Sequence, residues 1–110
     1  MNKVHVIGSN DYMIEMLEEH ISLAIPSVDL KIDDNIQKTD IVVCVNLDIL
    51  DNLMMYPQHT KKVLWTGAKM IGDEFVLSKI KLKDLKDVLI LDKSKVTMTE
   101  IIQIIKKGLR

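Results

Sequence analysis

At 110 residues the chain has room for one domain with a modest core, and its 47% hydrophobic and 28% charged residues argue against a disordered tail. A formal net charge of −1 argues against a broad nucleic-acid-binding surface, which the short basic cluster Lys106, Lys107 and Arg110 does not supply.

Lys3 to Ile7 reads as a first strand, closed by the turn-forming triplet Gly8-Ser9-Asn10. Asp11 to Ala24 then has helical periodicity, with Met13, Met16, Leu17, His20, Ile21 and Ala24 on one face. Ser9 or Asn10 suits the N-cap, and Pro26 forbids simple continuation. Val28, Leu30 and Ile32 alternate with Asp29, Lys31 and Asp33, the pattern of a half-exposed second strand. Asp34 to Thr39 offers a short helix or a loop. Asp40 to Val45 is a continuous apolar run after its first residue, as in a strand covered on both faces. Leu47 to Tyr56 suits a helix ending near Pro57, and Lys62 to Thr66 a fourth strand followed by Gly67. Between Ala68 and Asp87, Phe75, Val76, Leu77 and Ile80 suit a short helix, while Ile80 and Leu82 alternate with lysines. Val88 to Leu91 reads as a fifth strand. Thr97 to Leu109 closes the chain as a helix with Met98, Ile101, Ile102, Ile105 and Leu109 on one face.

Strands alternating with helices favour an α/β domain with a parallel sheet and right-handed crossovers. The alternating second strand belongs at an edge and the apolar third in the centre. A doubly wound, five-stranded order 2-1-3-4-5 of flavodoxin type satisfies both. Ligands in such folds bind beyond the carboxyl ends of the strands, and Gly8, Ser9, Asn10, Asn46, Asp48, Thr66 and Lys93 would line that crevice. The fingerprint of a dinucleotide or phosphate loop is missing, and His5, His20, His59 and Cys44 lack metal-ligand spacing. No metal, cofactor or small-molecule substrate is therefore expected. Cys44 is the single cysteine, inside an apolar run, and reads as a buried inert thiol in a reducing compartment. The apolar runs are too short for a membrane span, and no signal-peptide core follows Met1, so the expected location is the cytoplasm.

The order of these segments resembles the response-regulator receiver domain, most closely the receivers of regulators carrying a LuxR-type helix-turn-helix. Lys3-Val4-His5-Val6-Ile7-Gly8-Ser9-Asn10 is similar to the receiver opening, where a hydrophobic strand ends in two adjacent acids. Asp40-Ile41-Val42-Val43-Cys44-Val45-Asn46-Leu47 resembles the strand that ends in the phosphorylated aspartate. Val63-Leu64-Trp65-Thr66-Gly67-Ala68 is similar to the fourth strand with its switch threonine. Ile90-Leu91-Asp92-Lys93-Ser94 resembles the fifth strand with its lysine, if one residue is inserted, and Thr99 to Gly108 the last helix. The departures carry the chemistry. A hard divalent cation needs converging oxygen ligands, yet Gly8 and Ser9 stand where the resemblance places the acid pair. Val45 stands where it places the phosphoacceptor, and valine has no nucleophile. Asp11 and Asp48 lie two to three residues beyond the matching positions and would restore the site only in a shifted register.

The sequence thus points to a degenerate receiver pocket of Gly8, Ser9, Val45, Asn46, Thr66 and Lys93 with no catalytic residue. What the resemblance implies is a non-enzymatic regulatory module of a transcriptional regulator, acting by dimerisation or partner contact. DNA would be reached only through a further domain following Arg110. Two other readings are a free-standing interaction adaptor and a small phosphotransfer protein or enzyme on a flavodoxin-like sheet. The last needs a nucleophilic Cys or His after the first strand, where Gly8-Ser9-Asn10-Asp11 supplies neither. A homodimer is expected through the last helix, with Ile104 near the centre of the interface and Tyr12 and Leu23 at its margin.

Overall fold

A computed structural model describes residues 2–32, 35–67, 70–71, 74–75, 85 and 87–109. Four segments form a parallel sheet: β1 (Val4–Ile7), β2 (Ile41–Cys44), β3 (Lys61–Thr66) and β6 (Val88–Asp92), in the spatial order β1-β2-β3-β6. Between β3 and β6, β4 (Met70–Ile71) and β5 (Glu74–Phe75) pair as a separate antiparallel ribbon. Three helices complete the described structure: α1 (Asp11–Ala24), α2 (Leu50–Met54) and α3 (Met98–Gly108). Single 3-10 turns occur at Ile36–Lys38 and Leu47–Ile49.

The two-residue alternation of the strands divides the interior into two cores. Val4, Val6, Ile41, Val43, Val63 and Trp65 face α1 and α3, where Leu17, Ile21, Ile101 and Ile105 meet them. Val42, Cys44 and Leu64 face the other way, against Leu50 and Leu53 of α2, Tyr56 and Leu85. Every residue of β2 is buried, the expected consequence of a central strand covered on both sides. Among the buried polar side chains, His5 Nδ1 lies 2.7 Å from Tyr56 Oη, and Thr60 Oγ1 donates to Thr39 O at 2.8 Å.

Local chemistry sets the helix limits. Asn10 caps α1, its side chain accepting from Met13 N at 3.2 Å. Thr97 caps α3 in a reciprocal box with Glu100. At the other end of α3, the Lys61 ammonium donates to Gly108 O at 2.8 Å, a cation where the helix dipole is negative. Both helices begin beyond the carboxyl end of a strand and return, so they lie side by side with the same polarity.

Some expectations are revised. Among the described residues the sheet has four strands, where the sequence pattern suggests five. Val28 to Ile32 reaches the open edge of β1 through one parallel bridge, Lys3 to Asp29, with Val4 N donating to Asp29 O at 2.9 Å. The Asp29 carboxylate then accepts from Lys31 N at 3.0 Å, a local turn bond that competes with ladder pairing. Leu47 to Tyr56 is a 3-10 turn followed by the five-residue α2 rather than one long helix. Glu74 and Phe75 are extended, so a helix does not begin at Phe75. The remainder of the expected helix, including Val76, Leu77 and Ile80, lies outside the described residues. No helix among the described residues is long and apolar enough to cross a membrane.

Candidate functional site

The carboxyl ends of β1, β2, β3 and β6 converge, and most of the crevice residues anticipated from the sequence meet there. Asn46 is the hub. Its Oδ1 accepts from Ser9 N at 2.9 Å and from Asn10 N at 3.2 Å, binding the loop after β1 to the end of β2. Ser9 Oγ donates to Asp48 Oδ1 at 2.9 Å, so the exposed Asp48 carboxylate is already engaged.

Gly8 is required by proximity. A Cβ there would lie 2.5 Å from both Asn46 Oδ1 and Val45 Cγ2, and 3.4 Å from Ile14 Cγ1. The valine at the expected phosphoacceptor position therefore occupies space that a side chain at Gly8 would need. Glycine at 8 and valine at 45 are two halves of one packing solution.

Lys93 reaches across from the turn after β6. Its ammonium donates to Val45 O at 2.8 Å and lies 5.3 Å from the centroid of the Trp65 ring, within cation–π range. Its backbone N donates to Thr66 O at 3.0 Å. Partial burial lowers the Lys93 pKa from the ordinary lysine value. Thr66 is buried at the end of β3, and Trp65, also buried, donates its indole N–H to Val96 O at 3.0 Å. Asp92 does not pair with Lys93; it accepts from Ser94 N and Ser94 Oγ, bonds that hold its carboxyl below the usual pKa. Asp11 stands in the first turn of α1.

Among the described residues the crevice thus brings together the Lys93 ammonium, the engaged Asp48 carboxylate and the neutral groups of Ser9, Asn46 and Thr66. Among the described residues no three His, Cys, Asp or Glu side chains are grouped to hold a metal ion. Cys44 is buried, donates to Asn46 O at 3.0 Å, and has its thiol pKa raised by burial, with the charge of Asp48 adding to the effect. Iodoacetamide at mildly alkaline pH is expected to leave native Cys44 intact and to alkylate it fully in denaturant, by intact mass. Rapid labelling of the native protein would contradict the burial. Elsewhere, His20, placed by the periodicity on the apolar face of α1, is exposed with its Nδ1 2.8 Å from Met16 O, and His59 Nε2 lies 2.8 Å from Gln37 O.

The three residues expected at an interface do not form one patch. Ile104 lies on the flank of α3 facing the β6 edge, in a groove of about 240 Å³ that it shares with Val63, Leu89 and Gly108. Tyr12 and Leu23 are exposed on α1, and Leu23 lines a second groove, of about 400 Å³, against Met98, Ile102 and Lys106 on the opposite flank of α3. An interface centred on Ile104 would therefore leave Leu23 across the helix. The signal in the sequence was sufficient to place Ile104 off the core stripe but not to say which neighbour it faces.

Comparison with family models, with curated proteins and with solved structures finds no match for this chain. What stands is an α/β domain with a four-stranded parallel sheet, compatible with a flavodoxin-like fold.

Proposed function

We propose that this is a phosphorylation-independent, non-enzymatic regulatory domain of pseudo-receiver type, acting in the cytoplasm by contact with a second copy or a partner. The observation that carries this reading is the Lys93 ammonium bonded to Val45 O. In the resembled family a lysine at this place meets a phosphoryl group; here its partner is the chain's own backbone, beside a residue with no nucleophile. The Lys3–Asp29 bridge outside β1 supports the 2-1-3-4-5 order of the resembled fold. Helices on both faces of the sheet fit it as well. A DNA-binding domain following Arg110 would make the module part of a transcriptional regulator.

The test is direct. Acetyl phosphate with Mg²⁺ is expected to leave the intact mass unchanged, and Mg²⁺ alone to leave the melting temperature unchanged, since a tightly bound native-state ligand would raise it. A mass gain of one phosphoryl group, lost in Asp48→Ala, would overturn the reading.

A further inference from the structure

The sheet edge beside β1 is closed at one end only. The bridge between Lys3 and Asp29 consists of Asp29 N donating to Asn2 O at 2.8 Å and Val4 N donating to Asp29 O at 2.9 Å. A parallel ladder repeats that pattern every two residues, so the next rung is fixed: Lys31 stands opposite His5, with Lys31 N donating to Val4 O and Val6 N to Lys31 O. Among the described residues neither bond is formed. Lys31 N donates instead to Asp29 Oδ1 at 3.0 Å, so the carboxylate holds the amide that would carry the ladder forward. The side chains are nevertheless in phase for pairing. Val4 and Val6 face α1 and α3, and alternation puts Leu30 and Ile32 on that same side. Leu30 already packs against that core, whereas Ile32 is 52% exposed. Val6 is fully buried, so its N–H is shielded from water and gains a bond only if Lys31 O arrives.

We propose that residues 30–32 are a strap poised to close on β1, and that the Asp29 side chain is the latch that keeps it open. Closing exchanges one turn bond for two ladder bonds, sets Ile32 beside Val6 and makes β1 an interior strand. The Asp29–Lys31 bond and the entropy of ordering the strap oppose it. Whatever grips the exposed Ile32 side chain favours the open form, because closing buries that side chain. The inference stands apart from the regulatory reading above, since it uses the edge of β1 and none of the crevice contacts.

Amide hydrogen exchange of the 110-residue chain, followed by nuclear magnetic resonance, tests this. In the wild type the Lys31 amide is expected to exchange fast, as an amide in an exposed turn does, with no Overhauser contact between the Ile32 and Val6 methyl groups. In Asp29→Ala the amide is released to Val4 O, so its exchange should slow about tenfold or more, and the Ile32–Val6 contact should emerge. The backbone bonds of residue 29 need no side chain, and a protected Val43 amide shows that each variant is folded. Asp29→Asn keeps an oxygen acceptor at the same place and should behave as the wild type, which separates the acceptor from the charge. Two results overturn the proposal outright: a wild-type Lys31 amide as protected as that of Val43, which means that the ladder is already formed, and a Lys31 amide no slower in Asp29→Ala than in the wild type. Protection in Asp29→Asn equal to that in Asp29→Ala overturns the side-chain oxygen as the latch.

Discussion

Val43→Asp is expected to abolish folding. Val43 is fully buried in the second sheet position, registered between Val6 of β1 and Val63 of β3, on the face covered by α1 and α3. A carboxylate placed there loses its hydration and gains no cation. The cost is several kcal/mol, about 3 or more, whether it is met by desolvating the charge or by forcing protonation. A domain of this size has a total stability of roughly 5–15 kcal/mol, so the penalty takes a large share of it or all. Val43→Ala is the control: it removes apolar contact without adding charge, at a cost of about 2 kcal/mol, and should remain folded. Far-ultraviolet circular dichroism with thermal melting reads both. A soluble Val43→Asp protein with a cooperative melt would show that β2 is not central.

The second large effect is expected at Gly8. Gly8→Ala adds one methyl group, which meets Val45 Cγ2 and Asn46 Oδ1 at 2.5 Å unless they move. Asn46 cannot swing away without releasing Ser9 N and Asn10 N, and Val45 is almost fully buried. Overpacking of this kind costs about 1–3 kcal/mol. For a domain of about 100 residues that lowers the melting temperature by roughly 4–8 °C per kcal/mol. Shortening the opposing residue should return part of the loss, so Gly8→Ala with Val45→Ala should be more stable than the sum of the single changes. Urea titration of the four proteins gives the coupling. An additive cycle, or a harmless Gly8→Ala, would remove the steric account of why this position is glycine.

Much of the fold was legible because it depends on short-range pattern. The run Ile41–Cys44 reads as a central strand from hydrophobicity alone, and the periodicities of α1 and α3 mark the faces that meet the sheet. The segment after Pro26 misleads for a local reason. Val28, Leu30 and Ile32 alternate correctly, but the Asp29 side chain bonds to Lys31 N and Ile32 is 52% exposed, so alternation is present without a ladder. Leu47 to Tyr56 has helical composition, yet only Leu50–Met54 is α-helical, since Asn46 is engaged with the β1 loop and offers no side-chain cap.

The crevice was legible as a set of positions, because parallel strands put their carboxyl ends together whatever side chains they carry. Its contacts were not. That Lys93 meets a backbone carbonyl rather than Asp48 or Asp92 depends on its reach across β3 to β2, a distance no spacing along the chain encodes. The pairing of Gly8 with Val45 is likewise a three-dimensional fact, since 37 positions separate two residues that share one small volume. Ile104 shows the same limit in a helix: the turn of about 100° per residue says how far it lies from the core stripe, and only the sheet edge says what stands beside it.

The bond from Lys93 to Val45 O has a consequence for how the domain responds to its surroundings. A ligand shifts a conformational equilibrium only by the difference in its affinity for the two states. Here the ammonium's partner is supplied by the chain itself, at a local concentration that no change in the cell alters. For a regulator working by self-contact, the remaining variable is the number of copies. If the domain works as proposed, by contact with a second copy, its output would follow mass action, half-maximal when the protomer concentration is near the dimer dissociation constant, and the rates of synthesis and degradation would set the signal.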